Sequence, residues 1–246
     1  MRRAALALAL LALGGCRWAG GDDAGRAETA REFPRASREV SEISSNQFST
    51  ETQRDSVGEA KKVMALAEMK PGMSVADIGA GEGYYTVRLA EAVGPRGRVL
   101  AQDIDREALD RLGQRVERER LDNVSIRLGT PDDPRLPESS FDRIFLVHMY
   151  HEVQEPYAFL WRLWPSVRED GRVIVVDIDR PTGQHGIDPL LLSCEFERVG
   201  FELDAFKNAP ELAGYYAQFK RAATRPEPAA IKPCRGDRQV ARAATH

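Results

Sequence analysis

Three histidines, His148, His151 and His185, stand where a side chain could carry acid–base chemistry. His148 and His151 are three residues apart in the string His-Met-Tyr-His-Glu-Val, just after an apolar run that reads as a strand. Imidazole takes and gives a proton near neutral pH, so His151 is the residue to bet on for a general base, with His148 and His185 as further candidates. Tyr150 and Glu152 flank His151 and could orient its ring or contact a substrate. The bland reading is a histidine that ties the loop to a strand end. His185 lies in a loop with Gly183 and Gly186 beside it. The spacing of these histidines with Asp177 matches no familiar ligand pattern, so no metal is expected. A second constellation lies upstream. Asp77 precedes Gly79, Gly81 and Gly83 in the spacing G-x-G-x-G, and Asp103 follows 26 residues after Asp77. Glycines at that spacing allow a tight turn and let a ligand approach main-chain N–H groups.

The elements that must hold these residues can be read in order. A helix is expected from Ser56 to about Ala67, opened by Ser56-x-x-Glu59 as a capping box, with Lys70-Pro71-Gly72 as its stop. Strands are expected at 73–78, 98–103, 124–128, 142–147 and 172–177. Helices at 84–93, 105–120, 156–167 and 188–199 separate or follow them, and strand-like runs at 201–206 and 215–220 close the pattern. Alternating strands and helices mean a parallel sheet with helices on both faces, and the last two strands, without a helix between them, mean an antiparallel edge. The fold class is therefore a doubly wound α/β, Rossmann-like sheet of seven strands. Ligands bind such sheets at the carboxyl ends of the strands. Asp77 ends the first strand, Asp103 the second, and the His151 segment follows the fourth.

Acid-then-G-x-G-x-G resembles motif I of class I S-adenosylmethionine-dependent methyltransferases. A dinucleotide fingerprint would need G-x-G-x-x-G, and Tyr84 stands at that third position, which disfavours an NAD-dependent oxidoreductase. Together with Ala-Gln-Asp-Ile-Asp at 101–105, the loop at 128–137, Met-Tyr-His-Glu-Val at 149–153 and His185-Gly186, the motif resembles a group of exported bacterial methyltransferase-domain proteins over residues 54–221. The resemblance implies S-adenosylmethionine as cofactor, bound by Asp77, Gly79, Gly81 and Gly83. Asp103 would hold the ribose hydroxyls and Ile104 would lie against the adenine. The usual Gly-Asp-Ala after strand three is Gly129-Thr130-Pro131 here, so either Thr130 meets the adenine edge or Asp132 replaces the missing acid. Tyr84 is expected as a rim aromatic able to offer the sulfonium a cation–π contact. The methyl acceptor, a small molecule or another unidentified partner, and the oligomeric state do not follow from the resemblance.

The flanks carry a different message. Arg2 and Arg3 precede the apolar stretch 4–13, which is too short to span a bilayer and ends Leu13-Gly14-Gly15-Cys16. This resembles a bacterial lipobox. It implies a signal peptide at 1–15, lipidation of Cys16, a polar tether over 16–53 and, with Arg17 rather than Asp after the cysteine, anchoring at the periplasmic face of the outer membrane. The methyltransferase domain then spans 54–222, and residues 223–246, without periodicity, are expected to be disordered. Net charge is −3 with 30% charged residues and no sustained basic tract, so a nucleic-acid partner is not expected. Cys194 reads as a buried inert thiol in a helix, with a Cys194–Cys234 disulfide conceivable in an oxidising compartment. Export conflicts with a cofactor made in the cytosol, which keeps open a rival reading: an exported, non-catalytic module that binds a nucleoside-like small ligand.

Overall fold

The computed structural model describes residues 23–41, 50–212 and 214–235. The expected signal peptide and Cys16 lie outside these residues. No described helix is long and apolar enough to cross a membrane.

Among the described residues, one seven-stranded sheet is built from β1 (Ser74–Ile78), β2 (Arg98–Asp103), β3 (Val124–Leu128), β4 (Phe141–Val147), β5 (Val167–Asp177), β6 (Phe201–Ala209) and β7 (Gly214–Arg221). The order is β3-β2-β1-β4-β5-β7-β6. The first five strands pair in parallel, and β7 runs antiparallel between β5 and β6. The central strands are apolar because both faces are covered: Val75, Ala76, Ile144, Phe145, Val175 and Val176 are all buried. On one face lie α2 (Glu59–Leu66) and α3 (Tyr84–Val93), packed over Val75, Phe145 and Ile174. On the other lie α5 (Pro156–Leu163) and α6 (Pro189–Arg198), packed over Ala76, Ile144 and Val175. A short α1 (Glu51–Ser56) and α4 (Arg106–Glu119) complete the helices. Chain order reverses between β1 and β4, which makes their carboxyl ends the natural crevice of this sheet.

The expected elements form, with informative differences. Asp105 caps α4 by accepting from the Glu107 N–H at 2.8 Å, as its type and place demand. The expected capping box at Ser56 does not form. Thr50 and Gln53 make that box instead, at the head of α1, and Gly58 at φ 65° turns the chain before α2 begins. The helix expected to reach Val167 stops at Leu163, because Pro165 has no N–H to continue the ladder. The turn expected at 169–171 lies inside β5, where the pairing with β4 shifts register between Phe141 and Arg143.

Two segments expected to be loose are packed. Within the expected tether, residues 23–41 lie against the α5–α6 face, with Ala30 and Phe33 buried in its core. Arg26 makes a two-pronged pair with Glu155, its Nε and Nη2 donating to the two carboxylate oxygens at 2.7 Å each. Arg38 donates from Nε to Glu195 at 2.9 Å, with both side chains buried. Within the expected disordered tail, Ile231 and Cys234 are buried, Trp161 Nε1–H donates to Pro226 O at 2.9 Å, and the Arg225 guanidinium lies 3.4 Å from the Trp161 ring centre. Cys194 is not a lone thiol. It is joined to Cys234 by a disulfide that pins this segment to α6.

Candidate active site

The glycine turn is built as its spacing requires. Gly79, Gly81 and Gly83 have φ of 68°, 53° and 89°, which L side chains rarely adopt. A Cβ on Gly83 would meet Leu112 Cδ1 at 2.4 Å, and one on Gly79 would meet Met149 Cγ at 3.0 Å. Met149 therefore carries the segment after β4 directly onto the first glycine. Asp103, half-buried at the end of β2, reaches back to this turn. Its Oδ2 accepts from the Gly81 N–H at 2.8 Å, while Oδ1 accepts from the Ile104 and Asp105 N–H groups at 2.7 and 3.0 Å. A carboxylate offers about four acceptor sites. Three are used, so one ribose hydroxyl can be taken at Oδ2 without breaking a backbone bond. Ile104 is 37% exposed beside it, an apolar side chain open to a flat ring. Asp77 is buried under the turn, where Thr86 Oγ1 donates to its Oδ2 at 2.6 Å. Burial pushes its pKa up to about 6 against that hydrogen bond, and the neighbouring Asp103 pushes in the same direction. A buried carboxylate held near its titration point beside a glycine turn suits a cationic ligand. These residues fit the adenosyl and amino-acid ends of S-adenosylmethionine.

The second half of the site lies one strand beyond β4. Asp177 ends β5 with no exposed surface, and its two carboxylate oxygens stand 2.9 and 3.0 Å from His151 Nδ1. The Ile178 N–H also donates to Oδ1, at 2.8 Å. An ionised carboxylate accepts only, so Nδ1 carries the proton and Nε2 keeps the lone pair. His151 Nε2 is 3.9 Å from Glu152 Oε1, and the His185 ring stands edge-on to it with centres 5.8 Å apart. The structure thus brings His151 and His185 together, as expected. It holds His148 apart: at φ 54°, this side chain turns to the α2 face, where Nε2 is 3.7 Å from Glu59 Oε1. Burial alone would raise the Glu59 pKa, yet the bonds from His148 and Arg54 bring it down to about 2. Tyr85 also donates to that carboxylate, at 3.1 Å.

Other expected site residues have structural duties. Tyr150, expected to contact an acceptor, is a core residue: its ring has no exposed surface and its OH donates to Glu195 Oε2 at 2.8 Å. Tyr84 is not available to a sulfonium, since Arg54 and Arg88 lie 3.9 and 3.8 Å from its ring centre and its OH donates to Asp55. Asp132 does not face an adenine. It accepts from Thr29 Oγ1 at 2.6 Å, Thr130 Oγ1 at 2.8 Å and Arg162 Nη1 at 2.6 Å, and so anchors the 23–41 segment; Thr130 is drawn into the same cluster.

Arg38 was not legible as a site residue. Beyond Glu195, it donates to the carbonyls of His151 and Val153, each at 3.2 Å, and the Ser41 N–H donates to the His151 carbonyl at 3.4 Å. The 23–41 segment therefore clamps the turn that carries His151. No local signal marks this, because every partner is more than 100 residues away. A surface groove along α4 and β3, lined by Leu109, Gly113 and Ile126, touches neither the glycine turn nor the histidines.

Comparison with known proteins agrees with this geometry. Residues 75–171 match a family model described as a methyltransferase domain. A crystal structure of an S-adenosylmethionine-dependent methyltransferase from Aquifex aeolicus superposes with a TM-score of 0.61 at 23% identity, over 68% of this chain and 91% of that one. The domain has the class I methyltransferase fold. A phosphoethanolamine N-methyltransferase from Haemonchus contortus, solved with phosphoethanolamine and S-adenosylhomocysteine, has the same fold, with a TM-score of 0.60 at 16% identity over 79% of this chain and 50% of that one. Nocamycin O-methyltransferase of Saccharothrix syringae is 30% identical over 70% of this chain and 56% of its own length. The chain spans about half the length of the curated relatives it matches. The [4+2]-cyclase SpnF has the same fold, with a TM-score of 0.60 at 14% identity over 80% of this chain and 91% of that one.

Proposed function

We propose that this domain transfers a methyl group from S-adenosylmethionine to an O–H or N–H acceptor seated over β4 and β5. The observation that carries the reading is one of placement. The glycine turn with Asp77 and Asp103 sits at the carboxyl ends of β1 and β2, and the His151–Asp177 pair sits at the same edge two strands on. Met149, packed on Gly79 and two residues from His151, links the halves. The bound cofactor supplies a methyl already activated by its sulfonium. The protein's own task is alignment, plus removal of the acceptor's proton. Asp177 holds His151 through Nδ1, which leaves Nε2, on the side of Glu152, as the nitrogen that receives a proton. Arg38 and Ser41 fix the backbone of that turn.

We further propose that the chain is exported and lipid-anchored at Cys16, at the periplasmic face of the outer membrane. The Leu13-Gly14-Gly15-Cys16 string supports this, and so does the Cys194–Cys234 disulfide, a linkage that persists in oxidising compartments. Export favours a second reading, in which the same pocket holds a nucleoside-like ligand without turnover. A cyclase on this fold is a reminder that other chemistry is compatible with it.

Calorimetric titration of the full-length chain with S-adenosylhomocysteine tests the cofactor half. Binding is expected in the wild type and lost in Gly81→Val, because a side chain there would be strained at φ 53° in the turn whose N–H the Asp103 carboxylate accepts. Equal affinity in the two proteins would overturn the assignment.

A further inference from the structure

His151, Glu152 and His185 each offer a ligand atom, and the three atoms lie within 4.8 Å of one another. We propose that they form a binding site for one divalent first-row transition metal ion at the acceptor end of the cleft. The first argument is the tautomer. Asp177 fixes the proton of His151 on Nδ1, which aims the Nε2 lone pair toward Glu152 and His185. A carboxylate behind a histidine whose far nitrogen faces two further donors is how proteins orient metal ligands. A histidine that only tied a loop to β5 would need Nδ1 alone.

The donor set selects the ion. Two imidazoles and one carboxylate suit Zn²⁺, Co²⁺ or Fe²⁺, whereas Mg²⁺ and Ca²⁺ prefer oxygen. Ligands about 2.1 Å from a tetrahedral ion stand about 3.4 Å from each other. The 3.9 Å between His151 Nε2 and Glu152 Oε1 is close to that, and all three ligand atoms lie within 4.8 Å of one another. His151 is buried and held by Asp177, while Glu152 and His185 are half-buried.

The surroundings suit a dication. Asp179 and Asp188 join Asp177 and Glu195 in the field felt by the Tyr215 hydroxyl, whose pKa is driven far up, first by burial and then by these carboxylates. Arg38, which donates to the carbonyls of this turn, has its charge paired with Glu195. Three protein ligands leave a coordination position open, as in catalytic rather than structural sites. An acceptor hydroxyl on that position would be made more acidic and would pass its proton to solvent, and His151, held on the ion through Nε2, would then orient the acceptor instead of taking its proton. That role rests on the proposed function, whereas ion binding rests on the three side chains alone.

The test is titration of chelator-treated full-length chain with Zn²⁺, followed by Co²⁺ substitution read in the visible spectrum. One equivalent is expected to bind at micromolar concentration or tighter. Affinity should fall at least 100-fold in His185→Ala and in Glu152→Gln, fall 10–100-fold in Asp177→Asn, and stay unchanged in His148→Ala. The Co²⁺ complex should show d–d bands that His185→Ala removes. No stoichiometric binding, or binding unchanged in both His185→Ala and Glu152→Gln, overturns the site. Titrating S-adenosylhomocysteine into the same samples separates the two claims. Cofactor binding without Zn²⁺ binding refutes the metal site alone; Zn²⁺ binding without cofactor binding supports the site and refutes the methyltransferase reading.

Discussion

Cofactor affinity should depend on pH through Asp77, and the size of the effect follows from its surroundings. The carboxyl is buried and its pKa lies at about 6. Where the α-ammonium of the ligand's amino-acid end, which S-adenosylhomocysteine shares with S-adenosylmethionine, is met by the ionised form, binding must expel the proton wherever Asp77 holds one. Between pH 7.5 and pH 5 the ionised fraction of the free protein falls from nearly all to about one-tenth, so affinity for S-adenosylhomocysteine should drop about tenfold, close to 1.4 kcal/mol. Asp77→Asn removes the titrating group while still accepting from Thr86, so its weaker affinity should be flat over this range apart from what the histidines contribute. Calorimetry in two buffers of different ionisation heat should also detect proton release at pH 5.5 in the wild type and less in the variant. Stability should move the opposite way. The native protein holds this proton up to about pH 6 and the unfolded chain only to about 3.9, so stability declines as pH rises through that window and levels off above it, by about 3 kcal/mol in all. Asp77→Asn should therefore stabilise the cofactor-free protein at pH 7.5. Wild-type affinity unchanged from pH 7.5 to 5, or an equal loss in Asp77→Asn, would refute the role given to Asp77.

Further outcomes follow from individual contacts. Asp103→Ala should weaken S-adenosylhomocysteine binding by about 1.5–3 kcal/mol, the range for hydrogen bonds to a charged group, and calorimetry at pH 7.5 measures it. Arg38→Ala leaves Glu195 charged and buried beside Tyr150, so chemical denaturation should register a loss of about 3–5 kcal/mol. Reduction of the Cys194–Cys234 bond opens a loop of 40 residues and should cost about 4 kcal/mol on the loop-entropy estimate, seen as a lower midpoint with dithiothreitol. Membrane fractionation and intact mass of the chain expressed in a Gram-negative host should find cleavage before Cys16 and a lipid adduct that Cys16→Ser abolishes.

The parts of this protein that were legible in sequence are those whose physics is local. Strand periodicity, the Gly79–Gly83 turn and the Asp105 cap are decided within a few residues, and the sheet took shape accordingly. Asp103 was placed correctly at the end of β2, though its bond to Gly81 N–H was not foreseeable, since it crosses from one strand end to another. The failures share a cause. Residues 23–41 are polar and weakly periodic, which reads as a tether, but their few apolar groups and two arginines find buried partners at 155 and 195. Tyr84, Tyr150 and Asp132 looked like site residues by position, and distant arginines or a glutamate claimed them. The neighbourhood of His151 and His185 followed from the fold, whereas the side-on pairing with Asp177 required the register of β5.

The central claim is methyl transfer, and the direct measurement follows a labelled methyl group. Full-length chain is incubated with methyl-¹³C S-adenosylmethionine and a set of hydroxyl and amine acceptors, and the methyl resonance is watched. The account predicts that the signal leaves the sulfonium for an oxygen or nitrogen, that S-adenosylhomocysteine accumulates in equal amount, and that His151→Ala slows this by about 10²–10⁴-fold with unchanged affinity for S-adenosylhomocysteine. Cofactor that binds yet keeps its methyl with every acceptor offered, or a rate indifferent to His151→Ala, would contradict it.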